Sequence, residues 1–127
     1  MYIRMFTYSK NEYEAKNIFK NMIVDIQYYI KLLKYEKIEK YYKFDNSFLI
    51  EVTIELSEEF NQKKAEDFFK SISDFWIMFG QPIDNILASK TTIGCNYMKF
   101  DIEMINIYLS KEEISEIFPF NSNIFNK

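Results

Sequence analysis

The sequence predicts an α+β fold in which one antiparallel sheet carries two main helices on one face. Three observations predict it. Residues 48–56 and 97–108 alternate apolar and polar side chains, as half-buried strands do. Residues 10–35 and 58–79 instead place apolar side chains three and four apart, the pattern of a helix buried along one stripe. The segments follow one another as β-α-β-β-α-β-β-α. The first six have the order of a ferredoxin-like split βαβ sandwich, to which a further strand and a C-terminal helix are added.

Taken in order, Tyr2–Tyr8 is short and rich in β-formers and reads as the first strand. Ser9 with Glu12 forms a candidate capping box for a helix over 10–35, whose stripe runs through Ala15, Ile18, Met22, Ile26, Tyr29 and Leu33. Residues 38–44 and 48–56, with Asp45-Asn46-Ser47 between them, read as a hairpin, although 37–43 can also continue the helix. In the second arm Phe48, Ile50, Val52, Ile54 and Leu56 share one face, while Glu51, Thr53 and Glu55 share the other.

Ser57 reads as the N-cap of the second helix, with Glu58 and Glu59 in its first turn. Gly80 and Pro82 mark its end. Its aromatic stripe, Trp76 included, is expected to be core. A short strand is expected at Ile86–Lys90. In the long strand that follows, Met98, Phe100, Ile102 and Met104 face one way and Lys99, Asp101, Glu103 and Ile105 the other. Ser110 with Glu113 caps a final helix ending near Phe118-Pro119. No linker or repeat divides residues 1–127, so a single domain is expected, with residues 121–127 frayed.

Composition removes most enzyme templates. The 127 residues contain no histidine, which excludes Ser-His-Asp and Cys-His catalysis and His-ligated metals. A lone Cys95 forms neither an internal disulfide nor a cysteine cluster, and Gly80 and Gly94 are too far apart for a Gly-rich phosphate loop. Asp101 and Glu103, two apart on one strand face, could share a cation, but no other residue completes a pocket. No catalytic residue, metal or cofactor is therefore expected. Residues 1–8 lack a signal-peptide core, no apolar run approaches the ~20 residues that span a bilayer, and the single thiol suits a reducing cytoplasm.

Charge is unevenly spread over a net −3. Residues 10–43 hold eight lysines against five acids, whereas residues 44–127 hold seven against fourteen. If the two alternating strands share one sheet, Glu51, Glu55, Asp101 and Glu103 meet on its open face with only Lys99 in phase. Such a face is either kept polar for solubility or is a docking surface for a basic partner. Acids of the second helix, Glu66, Asp67 and Asp74, are the alternative contacts. Direct nucleic-acid binding is not expected, because the aromatics fall mainly in apolar phases and the open face reads as acidic. No membrane partner is expected either.

Asn, Ile, Lys, Tyr and Phe make up more than half of the chain, a usage biased toward AT-rich codons. Together with small α+β architecture, an acidic surface and no catalytic kit, this resembles the immunity proteins of bacterial contact-dependent inhibition and related polymorphic toxin systems. The resemblance is one of overall character. Trp76-Ile-Met-Phe-Gly-Gln-Pro82 is the most distinctive segment, and no site residue is transferred by position. The resemblance implies a non-enzymatic protein that binds and blocks the C-terminal toxin domain of one cognate effector, often a nuclease and frequently one acting on tRNA. The alternative is a scaffold or accessory subunit, or a homodimeric domain without an inhibitor role.

Overall fold

The computed structural model describes residues 1–117. Six strands form one sheet: β1 (Tyr2–Tyr8), β2 (Ile30–Lys40), β3 (Ser47–Leu56), β4 (Ile77–Phe79), β5 (Asn85–Ser89) and β6 (Ile102–Tyr108). Their spatial order is β2-β3-β1-β6-β5-β4, with every neighbouring pair antiparallel. Helices α1 (Glu12–Ile23) and α2 (Gln62–Ile72) cover one face, and α3 (Lys111–Ile117) closes the described chain. The architecture is α+β, as expected.

The core forms where two periods meet. Ala15, Phe19 and Met22 of α1 and Ala65, Phe68, Phe69 and Ile72 of α2 recur at helical spacing. They pack on Ile3, Met5, Ile50, Val52, Ile54, Ile105 and Ile107, which recur at strand spacing. Burial of each large side chain contributes about 1.5–3 kcal/mol.

The split βαβ pattern is present, but with a different fourth strand. β1 lies between β3 and β6, so β6 takes the place expected of Ile86–Lys90. The strand at 85–89 instead pairs outside β6 and carries a short sixth strand, β4, on its outer edge.

Helix α1 ends at Ile23, not at 35. A 3-10 segment, Val24–Tyr29, leads directly into β2. The longer helical reading fails because register shifts in β2 fall between Ile30 and Leu32 and between Tyr35 and Lys37. The half-buried positions are therefore Ile30, Leu33, Tyr35 and Ile38. Each bulge adds a residue and turns a spacing of two into three, which mimics a helix face. The N-cap is Asn11, whose side chain accepts from the Glu14 N–H at 2.9 Å. Ser9 is buried against Thr7, with its Oγ 2.8 Å from Thr7 Oγ1.

Helix α2 is also shorter than expected. It is capped by Asn61 rather than Ser57 and stops at Ile72. Ser73 is extended and bridges to Met98, while the Asp74 carboxylate accepts from the backbone N–H groups of Asn96 and Tyr97 at 3.0 Å each. These partners outcompete another helical turn. Trp76 is fully buried as expected, but from the segment between α2 and β4. Gly80, at φ +100°, belongs to the β4–β5 turn.

The expected strand over 97–108 begins only at Ile102. Asp101 adopts φ +64°, which breaks the extended run and leaves Phe100 84% exposed. A second irregularity between Phe6 and Thr7 of β1 makes Glu103 an extra residue in β6. Beyond it the expected phase reverses: Ile105 and Ile107 enter the core, and Met104 faces the other way.

The final capping box forms as expected. Ser110 Oγ accepts from the Glu113 N–H at 3.2 Å, and Glu113 accepts from the Ser110 N–H at 2.9 Å. Residues 118–127, with the expected helix end and frayed tail, lie outside the described residues. Among the described residues, no helix is long and apolar enough to cross a membrane.

Candidate functional site on the open sheet face

The face of the sheet turned away from α1 and α2 is built from the alternate residues of each strand. β1 contributes Tyr2, Arg4, Phe6 and Tyr8; β3 contributes Leu49, Glu51, Thr53 and Glu55. β6 adds Glu103, Met104, Asn106 and Tyr108. Phe6 and Leu49 are buried here, outside the main core.

Three of the four expected docking acids lie on this face, but the four do not meet. Glu51 stands opposite Arg4 in the β1–β3 register, 3.6 Å from its guanidinium and 3.8 Å from Lys37 Nζ. Glu55 lies 3.5 Å from Lys31. Glu103, at the bulge, lies 3.8 Å from Lys90. Two strand spacings, about 10 Å, separate β3 from β6, with β1 between them. Asp101 stands outside β6, where its carbonyl accepts from the Tyr8 N–H at 2.8 Å. Lys99 is likewise outside the sheet, its N–H bonded to the Ile72 carbonyl.

Glu51 and Glu55 therefore find their bases on adjacent strands, and Glu103 finds its base just past the end of β5, an arrangement that sequence phase cannot reveal. Of the alternative acids, Asp67 is taken by Lys63 at 2.9 Å and Asp74 by backbone amides. Burial first, and Glu51 second, push the Tyr2 pKa up to about 12.

The expectation that aromatics avoid this face is overturned. Tyr2 and Tyr108 lie 6.1 Å apart, and the Arg4 guanidinium sits 4.9 Å over the Phe6 ring. Next to them, the 41–46 turn folds over the end of β1. The Tyr41 N–H donates to the Ser47 carbonyl at 2.8 Å, and the Ser9 N–H donates to that of Asn46, which sits at φ +57°. Asparagine tolerates that conformation better than most residues.

The turn and the sheet enclose a groove of about 600 Å³. Phe6, Tyr8, Tyr41, Phe44 and Met104 line it; Phe6 and Tyr41 meet edge to face at 4.8 Å. Asp45 and Glu103 are its charged lining residues, and its other polar groups are the hydroxyls of Ser47, Ser89 and Thr91. Tyr8 and Phe44 are 53% and 66% exposed.

Of the expected site residues, only Glu103 lines this groove. Asp45 and the aromatic wall were missed. The available signal was the outward phase of β1, where Tyr2, Phe6 and Tyr8 alternate with Ile3, Met5 and Thr7, together with the aromatic run leading into Asp45. Among the described residues, no three Cys, Asp or Glu side chains converge as metal ligands do. No family model matches the chain, and neither a curated protein nor a solved structure proves similar to it.

Proposed function

We propose that this chain is a non-enzymatic, cytoplasmic inhibitor of the immunity type, which neutralises a cognate toxin by docking the open sheet face onto a basic toxin domain, a nuclease. The observation that carries the reading is the groove: the exposed rings of Tyr8 and Phe44 beside two carboxylates, on a sheet face that α1 and α2 leave uncovered. Interface centres are enriched in such aromatic side chains, and complementary charge at the edge directs encounter and partner choice. A nuclease suits an acidic partner because it must be basic where it holds phosphates. Glu51, Glu55, Asp101 and Glu103 remain the proposed charged contacts, each now beginning from its own local environment, and Asp45 joins them.

The experiment is co-expression with the toxin fragment of the effector gene directly upstream, followed by affinity capture and a growth assay. A stoichiometric complex and restored growth are expected. A toxin fragment that neither co-purifies nor is neutralised would leave the scaffold or homodimer reading in its place.

A further inference from the structure

We infer that the groove between β1, β6 and the 41–46 turn seats an arginine side chain of the partner, an inference that rests on the docking surface proposed above and names the group it grips. The volume, about 600 Å³, is that of a pocket for a small ligand or a large side chain with part of its backbone. Its walls are flat and aromatic, and its lining carries two carboxylates and, among the described residues, no cation. That combination selects among occupants. A phosphate or an acidic peptide meets Asp45 and Glu103 as like charges. A purely apolar side chain leaves both carboxylates partly desolvated without a partner. A lysine ammonium is a compact, strongly hydrated charge that gains less from stacking on rings. A guanidinium is planar, weakly hydrated and always charged, stacks on aromatic faces, and presents a fork that matches a carboxylate.

Both carboxylates are open to such a partner. Asp45 makes no ion pair among the described residues, and Glu103 is held only by the long, half-exposed contact to Lys90. The same face already uses this chemistry internally: the Arg4 guanidinium lies over the Phe6 ring while reaching Glu51. The groove brings the same two kinds of group, aromatic ring and carboxylate, into one lining. A buried arginine is a frequent energetic anchor of protein interfaces, which is the role assigned to the incoming side chain.

The test uses the 15N-labelled full chain and three capped tripeptides, acetyl-Gly-Xaa-Gly-amide, in which Xaa is arginine, lysine or citrulline, the last a neutral isostere of arginine. The arginine peptide is expected to bind at about 1 mM, a strength typical of so small a ligand, with shifts concentrated at the groove residues. Citrulline is expected to bind ~10-fold more weakly, with lysine between the two. Phe44→Ala and Asp45→Asn, both on the exposed turn, should each weaken the arginine peptide several-fold without changing the melting temperature. Equal binding of the citrulline peptide, shifts away from the groove, or tighter occupancy of the same residues by single-stranded oligouridine would overturn the inference.

Affinity capture of the toxin separates this inference from the docking reading. Toxin that binds Phe44→Ala and Asp45→Asn as tightly as wild type keeps the docking reading and removes the arginine anchor. Arginine-selective binding with no toxin capture keeps the groove chemistry and removes the docking reading.

Discussion

The indole Nε1–H of Trp76 donates a 3.0 Å hydrogen bond to the carbonyl of Phe69, and the two rings lie 5.8 Å apart. Phe69 lies in the last turn of α2, and its carbonyl there takes two donors. The same oxygen accepts from the Ser73 N–H at 3.2 Å. Trp76 thus closes the helix end and fills the core with one side chain.

Trp76→Ala should therefore cost about 3–5 kcal/mol, seen as a fall in melting temperature of roughly 10–25 °C in a chain of this size. Trp76→Phe keeps much of the volume and loses the hydrogen bond, so it should cost clearly less. A Trp76→Ala protein that melts like wild type would contradict the complete burial of this residue.

Glu51 should add to the effect of burial on the ionisation of Tyr2. Because burial and Glu51 raise the Tyr2 pKa, the folded state holds the phenolic proton more tightly than the unfolded chain does. That contribution to stability is fully present below pH 10 and is lost as pH rises from 10 toward about 12. Glu51→Gln should move the Tyr2 titration down toward the ordinary value, read by ultraviolet absorbance across alkaline pH. An unmoved titration would place the cause in burial alone.

Asp101 holds a left-handed backbone conformation that most side chains avoid, and its structural hydrogen bond comes from the main chain. Asp101→Gly should be neutral or stabilising by up to about 1 kcal/mol, whereas Asp101→Val should be destabilising by at least about 1 kcal/mol. Chemical denaturation measures both. Similar stability for the glycine and valine variants would count against the turn at 99–101.

For the proposed interface, Glu55→Lys combined with Asp101→Asn should slow association with the toxin, most at low salt, and leave the fold intact. Asparagine removes the charge at 101 while tolerating the backbone there. Stopped-flow association across a salt series is the measurement. A wild-type rate and salt slope would exclude these two acids from the docking surface and leave Asp45 and Glu103 as the acids to examine.

What the sequence by itself determined is local. The alternation of Phe48–Leu56 placed Ile50, Val52 and Ile54 inward and Glu51 and Glu55 outward, and the Ser110–Glu113 box placed the final helix start, because each depends on neighbours within a few residues. The two helix stripes gave the covered face in the same way. Tertiary structure alone decided where those periods break. The β2 bulges are answers to the register of β3, and the Glu103 bulge is an answer to β1; each adds one residue and so imitates a helix or reverses a strand phase. It also decided which charges meet, since Arg4 and Glu51 are paired by strand order and Glu103 is parted from Glu51 by β1. The groove belongs to that second class. Phe6, Phe44 and Met104 are distant in sequence, and only closure of the sheet around the 41–46 turn gives them a common wall.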